Sequence, residues 1–303
     1  MEAVGTAGES RVLGLDIGGT STRARLVSGG VVVGDATAAS ASLTAAGPEQ
    51  ASAALDGLLA GLPGLDRPLD AVCAGAAGSR TAHETADFLR ARLEPITRSG
   101  NVLVLDDAAL VLPAAGLAEG IAVICGTGTI AAGTWRGREA RAGGWGYLLG
   151  DEGGGYWIVR EAIRALIARR EGGLPPGDLG ARLLGTASAP GLDELRAAFY
   201  RSPEPGRWAR YAPVVLDSCD PEIIGLAGRA AGHLAALAAR VAGQFAAELP
   251  VVLAGGLMAN ERLSSAAVAA ISAEVPASSV RVLSEPPVAG AVRLAQAAAA
   301  RQP

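Results

Sequence analysis

A strand, a short glycine turn and a second strand occur in the same order twice, and this repeat constrains the fold more than any other feature of the sequence. In the first copy an apolar run reaches Asp16, and the turn 18–19 leads into a predicted strand over 21–27. In the second copy the turn 126–128 leads into a predicted strand that starts at Thr129. Each copy continues with another glycine turn and a third strand. The sequence therefore predicts two related strand meanders.

The glycine turns have the composition of a phosphate site. Because glycine has no Cβ, backbone N–H groups there can approach a polyphosphate closely, and neighbouring Ser and Thr hydroxyls can donate further hydrogen bonds. A third glycine turn, residues 253–258, also follows an apolar run. One such turn alone fits an ordinary hairpin equally well. The arrangement of all three favours a nucleotide site.

Two meanders followed by alternating helices and strands resemble the actin, hexokinase and Hsp70 ATPase superfamily. The segment 143–153, Gly-Gly-Trp-Gly-Tyr-Leu-Leu-Gly-Asp-Glu-Gly, resembles its N-acetylglucosamine kinase and BadF/BcrA ATPase branch. The resemblance covers residues 11–300. It implies an α/β fold of two ribonuclease H-like lobes, residues 1–112 with 287–303 and residues 113–286, that bind ATP and a sugar in the cleft between them.

The same resemblance implies roles for individual residues. It assigns nucleotide binding to the three glycine turns, through Gly18, Gly19, Thr20, Ser21, Thr22, Gly126, Thr127, Gly128, Thr129, Gly255, Gly256, Met258 and Asn260. It assigns Mg²⁺ to Asp16 and the catalytic base to Asp107. Sugar binding is assigned to Gly75, Asp107, Gly144, Trp145 and Asp151, with a backbone turn at Gly75 and Gly78.

Each acidic assignment has a structural alternative. Asp16 also fits a hairpin aspartate that makes local hydrogen bonds. Asp107 and Asp151 precede helical segments, where capping is the most common role of aspartate. Asp106 is predicted to cap the helical segment 108–112 or to orient Asp107. The loop 36–49, rich in Ala, Ser and Thr, differs from the asparagine-bearing loop expected near the sugar in human-like acetylglucosamine kinases.

Composition narrows the possible chemistry. All 26 basic residues of the 303-residue chain are arginine. The absence of lysine excludes a Walker A loop, a protein-kinase strand lysine and a Schiff-base enzyme, so ATP chemistry must rely on backbone, hydroxyls, carboxylates and metal. The net charge of -4 and dispersed arginines predict no nucleic-acid partner. Without a long apolar stretch or an apolar leader in residues 1–10, we expect a cytoplasmic protein without a membrane partner.

The few cysteines and histidines argue against metal clusters. Cys73 and Cys125 have the surroundings of buried strand residues, Cys219 stands alone, and His83 and His233 lie in helical patterns. The expected function is an ATP- and Mg²⁺-dependent kinase that acts on the C6 hydroxyl of an amino sugar, with glucosamine slightly favoured over N-acetylglucosamine, and a homodimer is expected. The alternative is a BadF-type ATPase that activates a partner enzyme.

Overall fold

The computed structural model describes residues 10–77, 83–277 and 279–301. The chain divides into two compact units, Met1–Leu117 with Ser284–Pro303 (unit 1) and Ala118–Leu283 (unit 2). Each unit contains one five-stranded sheet. The predicted α/β class is therefore confirmed. The predicted turn residue Gly78 and the predicted start of a helix at Thr81 lie outside the described residues.

The elements follow one another in the order that the repeated meander predicts. The strands are β1 (Arg11–Ile17), β2 (Ser21–Ser28), β3 (Val31–Ala39), β4 (Ala71–Ala76), β5 (Val102–Leu105), β6 (Gly120–Cys125), β7 (Thr129–Trp135), β8 (Arg138–Gly143), β9 (Val251–Ala254) and β10 (Val280–Val282). The α-helices are α1 (Leu43–Ala46), α2 (Pro48–Ala60), α3 (His83–Leu93), α4 (Val111–Ala114), α5 (Gly155–Glu171), α6 (Gly177–Thr186), α7 (Leu192–Arg201), α8 (Pro205–Ala209), α9 (Ala212–Leu216), α10 (Pro221–Phe245), α11 (Glu261–Glu274) and α12 (Val288–Ala299). Short 3₁₀ helices cover Glu94–Ile96, Asp107–Leu110 and Gly256–Ala259.

The two sheets share one topology. In unit 1 the strand order is β3-β2-β1-β4-β5, and in unit 2 it is β10-β9-β6-β7-β8. In each sheet three consecutive strands pair antiparallel as a meander, and two later strands add in parallel beside the first. The first strand of each meander is central and almost wholly buried. This explains why β1 and β6 are continuous apolar runs instead of alternating patterns.

The last helix, α12, lies against β1 and α4 within unit 1. Its close approach requires two glycines. A Cβ on Gly14 of β1 would lie 2.7 Å from the backbone nitrogen of Val292, and a Cβ on Gly290 would overlap the carbonyl of Leu110. Leu110 follows Asp107 in the 3₁₀ helix, so the packing of α12 supports the segment that carries the predicted base.

Two differences from the predicted elements have local causes. The sequence predicts one helix over 207–216. In the structure this helix is interrupted, and α9 begins anew at Ala212 because Pro213 lacks the N–H that a continuous helix would need. The sequence predicts a loop at Pro175, Pro176 and Gly177 and no helix after it, whereas the structure has α6 over Gly177–Thr186. Among the described residues, none of the helices combines the length and hydropathy that a membrane span requires.

Candidate active site

The first glycine turn joins β1 to β2 and leaves two backbone donors open. The Gly18 N–H donates to the carbonyl of Ser21 at 3.0 Å. Gly19 and Thr20 are exposed, and within the described residues their N–H groups donate to no protein acceptor. No atom lies within 4 Å of the position that a Cβ on Gly19 would take. The turn therefore presents two consecutive N–H groups to an open space, as an anion-binding nest does.

The hydroxyls near this turn have different functions. Thr22 is fully buried, and its Oγ1 accepts a hydrogen bond from the Ala41 N–H at 2.8 Å. Ser40 donates from Oγ to the carbonyl of Gly18 at 2.7 Å. Of the predicted nucleotide hydroxyls, Thr20 is exposed and Ser21 is half-buried. Thr22 and Ser40 thus both stabilise the turn. The role of Ser40 could not be predicted, because it is 22 residues from Gly18 in the sequence.

The second glycine turn lies at the corresponding place between β6 and β7 and is one residue shorter. Here the Gly126 N–H donates to the carbonyl of Gly128 at 3.0 Å. The next two N–H groups, of Thr127 and Gly128, donate to no protein acceptor in the described part of the chain. A Cβ on Gly126 would meet no atom within 4 Å. Unit 2 therefore carries the same pair of free donors that unit 1 carries.

Helix α5 holds the second turn in place through the turn's own carbonyls. The Gly155 N–H donates to the carbonyl of Gly126 at 2.8 Å, and the Tyr156 N–H donates to that of Thr127 at 3.1 Å. A Cβ on Gly154 would lie 2.7 Å from the Cα of Gly128. The consecutive glycines before α5 are thus explained by close packing, because side chains there would separate the helix from the turn.

The third glycine turn lies against the second. Gly255 has a φ of 103°, and a Cβ there would overlap the backbone of Cys125. Gly256 is exposed, with no atom within 4 Å of its Cβ position, whereas Met258 is buried. Asn260 is the N-cap of α11, accepts from the Leu263 N–H at 3.1 Å and donates to Asp217 at 3.0 Å. Gly256 is thus the residue of this turn that is most open to a ligand.

The acidic residues of unit 1 share one sheet edge. Because β1, β4 and β5 are parallel, their carboxyl ends lie together, and the register places Asp16 beside Gly75 and Gly75 beside Leu105. Asp106 and Asp107 follow β5 directly. The predicted backbone turn at Gly75 is wrong, since Gly75 lies inside β4. Its missing side chain leaves the space that Leu110 fills.

Asp106 and Asp107 have separate functions. Asp106 is the N-cap of the 3₁₀ helix and accepts a hydrogen bond from the Ala108 N–H at 3.2 Å, which confirms the predicted capping role. Burial, the charge of Asp106, a hydrogen bond with the Asp106 carboxyl and the charge of Asp16 together raise the pKa of Asp107 to about 7, and a hydrogen bond from the Ala108 N–H opposes the shift. Asp107 is therefore poised to exchange a proton near neutral pH.

Asp16 is the third carboxylate at this edge. Burial raises its pKa to about 6, and the nearby Arg23 opposes that shift. In a partly buried position the ionised carboxylate is poorly solvated, so a bound divalent cation would stabilise it. The residues at this edge therefore fit a magnesium site of the usual kind, in which one or two carboxylates hold the ion and the substrate phosphates complete its coordination.

In unit 2, residues 143–150 at the end of β8 (the Trp145 segment) contain several glycines with left-handed backbone conformations. Gly143, Gly144 and Gly146 all have positive φ, at 77°, 69° and 84°. The Gly144 N–H donates to the carbonyl of Thr129 at 2.9 Å, which ties the segment to the second turn. The Trp145 side chain is 75% exposed. This segment therefore displays an aromatic face beside the second glycine turn, as a sugar platform would.

Asp151 joins that segment to the turn. It has a left-handed backbone, with φ of 63°, which aspartate tolerates better than most residues. Its carboxylate accepts a hydrogen bond from the Thr129 N–H at 3.3 Å. Burial raises its pKa, and the N–H groups of Thr129 and Gly146 oppose the shift. A Cβ on Gly128 would overlap this carboxylate. Asp151 therefore fixes the turn and the Trp145 segment to each other and does not act as a helix cap.

A cavity of about 370 Å³ lies beside these residues within unit 2. Its wall includes Trp145, Leu149, Asp151, Glu152, His233 and Arg240. The last two belong to α10 and are absent from the sequence-based assignment, because nothing in the helix pattern marks which face meets the Trp145 segment. His233 also contacts Trp157, with ring centroids 5.2 Å apart, in line with a structural role.

The predicted site residues thus form two groups. Unit 1 brings together the carboxylates Asp16 and Asp107 with Gly75, and it holds the first turn. Unit 2 brings the second and third turns into contact and ties Asp151 to the second turn. The roles of all these residues in binding and catalysis stay predictions.

Comparison with known proteins identifies the family. A family model described as the BadF/BadG/BcrA/BcrD ATPase family matches residues 13–293. An N-acetylmuramic acid/N-acetylglucosamine kinase of Clostridium acetobutylicum is 39% identical over 116 residues, which are 36% of this chain and 37% of that protein. An N-acetyl-D-glucosamine kinase of Dictyostelium discoideum is 33% identical over 122 residues, 39% of this chain and 38% of that protein. The matched segments span less than two fifths of either relative.

A solved structure from Chromobacterium violaceum, described as a candidate N-acetylglucosamine kinase, superposes with a TM-score of 0.76 at 27% identity. The superposition covers 95% of this chain and 99% of that one. This likeness confirms the predicted fold class. Because the family model matches nearly the whole described chain, the protein belongs to the BadF/BadG/BcrA/BcrD ATPase family.

Proposed function

We propose that the protein is an ATP-dependent kinase that transfers a phosphoryl group to the C6 hydroxyl of an amino sugar of the N-acetylglucosamine type. The observation that carries the proposal is a pair of turns at corresponding places in the two sheets, each with two free N–H groups, at residues 19–20 and 127–128. Such donors bind phosphate oxygens without lysine. The names of the relatives, which include kinases of N-acetylated sugars, support the substrate class.

Asp107 supplies the acid-base chemistry. A sugar hydroxyl is a weak nucleophile, and a carboxylate that accepts its proton makes transfer of the γ-phosphoryl group easier. The raised pKa of Asp107, about 7, gives its carboxylate a stronger affinity for a proton than an exposed aspartate has. Asp106 is occupied as an N-cap. Asp107 therefore accepts the hydroxyl proton, and Asp106 positions the segment that carries it.

Asp16 would hold Mg²⁺. Since the chain has no lysine, a divalent ion is the main counter-charge available to the phosphates. When bound, Mg²⁺ would neutralise charge on the transferred phosphoryl group. The backbone donors of the two turns orient the phosphate oxygens, and Gly256 leaves space for the nucleoside beside the second turn.

The Trp145 segment would bind the sugar. An exposed indole offers an apolar face to a pyranose ring, and the glycines of this segment leave backbone groups accessible. The preference for glucosamine that the sequence suggested has no support from these relatives, which are named for N-acetylated sugars. We therefore propose N-acetylglucosamine as the first substrate to test.

The alternative function, ATP hydrolysis that activates a partner enzyme through an iron-sulfur cluster, is not favoured. Cys73 and Cys125 are fully buried, and burial raises the pKa of each thiol to about 12, which disfavours the thiolate that a cluster needs. Among the described residues, no group of three or more His, Cys, Asp or Glu side chains is arranged to hold a metal ion.

A coupled assay tests the proposal directly. ADP release is expected only when N-acetylglucosamine and Mg²⁺ are both present, and EDTA should abolish it, because metal is the principal counter-charge for the phosphates. The 6-deoxy analogue should inhibit without being phosphorylated if C6 is the acceptor. Turnover that persists in EDTA, or that no sugar raises above basal hydrolysis, would contradict the kinase assignment. Light scattering tests the predicted homodimer.

A further inference from the structure

The cavity beside Asp151 has one wall that the proposed chemistry does not use. Along α10, His233, Ala236, Leu237 and Arg240 recur at helical spacing and all line the cavity. Facing them are the exposed side chains of the Trp145 segment, with Leu149 82% exposed. The cavity volume of about 370 Å³ lies in the range of small-molecule pockets. The α10 wall therefore extends the proposed sugar site beyond the residues assigned to it.

Arg240 is the cationic end of this wall. In the part of the chain that the structure describes, its guanidinium forms no hydrogen bond and no ion pair. Many other arginines here are paired, as Arg25 is with Asp35 at 2.6 Å and Arg170 is with Asp193 at 2.9 Å. Glu152 lines the same cavity but lies outside ion-pair distance of Arg240. Five N–H donors of fixed geometry are thus available to an incoming anion.

We propose that Arg240 receives a carboxylate carried by the sugar substrate, and that it therefore determines specificity for an acidic amino sugar over a neutral one. The inference rests on the proposed kinase function. A guanidinium pairs with a carboxylate through two parallel hydrogen bonds, which makes the contact selective as well as stabilising. Ala236 and Leu237, on the same helix face, offer apolar contact to the carbon chain that links the carboxylate to the ring.

The charges around Arg240 determine how strongly it is expected to change substrate preference. Arg240 is exposed, so solvent screens part of the attraction. Glu152 and Asp151 line the same cavity, and their negative charges oppose a carboxylate. His233 faces the cavity from the same face of α10. We therefore expect Arg240 to change substrate preference by about tenfold, as one partly screened, charge-assisted contact does.

The test compares two sugars in the full-length protein. N-acetylmuramic acid is N-acetylglucosamine with a lactic acid ether, so it adds one carboxylate, and its methyl ester keeps the size but removes the charge. The wild type should phosphorylate both sugars. Arg240→Gln should lower kcat/KM for N-acetylmuramic acid relative to that for N-acetylglucosamine by about tenfold. Arg240→Lys should give a kcat/KM ratio between those of wild type and Arg240→Gln, since lysine keeps the charge but cannot donate two parallel hydrogen bonds to a carboxylate.

Two controls isolate the charge. Arg229→Gln removes an exposed arginine of the same helix that does not line the cavity, and it should leave the ratio unchanged. When the methyl ester of N-acetylmuramic acid replaces the free acid, Arg240→Gln should change kcat/KM relative to that for N-acetylglucosamine only slightly. A wild type that phosphorylates N-acetylglucosamine but not N-acetylmuramic acid overturns the inference and leaves the proposed function standing. A wild type that phosphorylates neither contradicts the proposed function. If Arg240→Gln lowers kcat/KM by the same factor for both sugars, the inference is also overturned.

Discussion

Asp107→Asn is expected to lower kcat by about 10²- to 10⁴-fold, the usual contribution of a general base. Asparagine has nearly the same size as aspartate but cannot accept the hydroxyl proton. Because Asp106 is the N-cap of the 3₁₀ helix, the substitution removes no cap. ATP affinity, measured by calorimetry, should be unchanged, and the loss should persist at every pH between 6 and 9. The measurement is steady-state ADP release with saturating sugar.

Asp106→Asn is the matched control. It removes a neighbouring carboxylate but keeps an amide oxygen that can cap the Ala108 N–H. The charge of Asp106 and its hydrogen bond to Asp107 both raise the pKa of Asp107, so their removal should lower that pKa. We expect Asp106→Asn to retain far more activity than Asp107→Asn. An Asp107→Asn variant with kcat within about threefold of wild type would show that Asp107 is not the base, and Asp151 would be the next residue to test.

Stability gives an independent check on Asp107. Its pKa is about 7 in the folded protein and 3.8 in the reference state, so burial favours the protonated form. The favourable contribution is therefore complete below pH 3.8 and is lost as the pH rises towards 7. Asparagine resembles the protonated carboxyl and does not ionise. The Tm of Asp107→Asn should accordingly rise relative to that of wild type as the pH increases from 4 to 8, measured without nucleotide.

The sequence contained the order of strands and turns because local chemistry determines them. Strand β5 was predicted at its observed bounds, since four apolar residues end at a pair of aspartates. The turn residues were found because glycine and threonine after a buried strand are a local signal. The repeat of the meander then identified two sheets of one topology. These features are determined by residues that are close together in the sequence, so they can be predicted from it.

Contacts between distant segments could not be predicted. Nothing near Thr22 in sequence shows that its hydroxyl bonds to Ala41, and nothing near Gly75 shows that Leu110 fills the space beside it. The wall of α10 that carries Arg240 depends on which helix face meets the Trp145 segment. Each of these contacts is set by tertiary packing, which local pattern does not encode.

Gly128 shows how such a contact changes a functional hypothesis. From the sequence, a side chain at this position would affect ATP alone, because it would block phosphate from the backbone. In the structure a Cβ there would overlap the carboxylate of Asp151, which accepts a hydrogen bond from the Thr129 N–H. Gly19 has open space instead. Both turns have two free donors, but among the described residues only the second turn is covered by a side chain, that of Asp151 in the proposed sugar-binding segment.

Gly128→Ala and Gly19→Val should therefore behave differently. Gly19→Val places a side chain over free donors without strain in the unliganded protein, so it should weaken ATP binding by about 10- to 100-fold, the loss of one or two charge-assisted hydrogen bonds, at an unchanged Tm. Gly128→Ala should displace Asp151, destabilise the protein by about 1–3 kcal/mol, as overpacking does, and raise KM for sugar as well as ATP. Calorimetry and thermal melting separate the two outcomes.

A double-mutant cycle decides whether Asp151 is the cause. In an Asp151→Ala background the carboxylate that the new Cβ would overlap is gone, so adding Gly128→Ala should cost little further stability. The two substitutions should thus be strongly non-additive, with a coupling free energy of about 0.5–3 kcal/mol. Additive losses, or a Gly128→Ala variant that weakens ATP alone and keeps the wild-type Tm and sugar KM, would show that Asp151 does not bind the turn. The second turn would then be independent of the Trp145 segment, as we propose for the first turn.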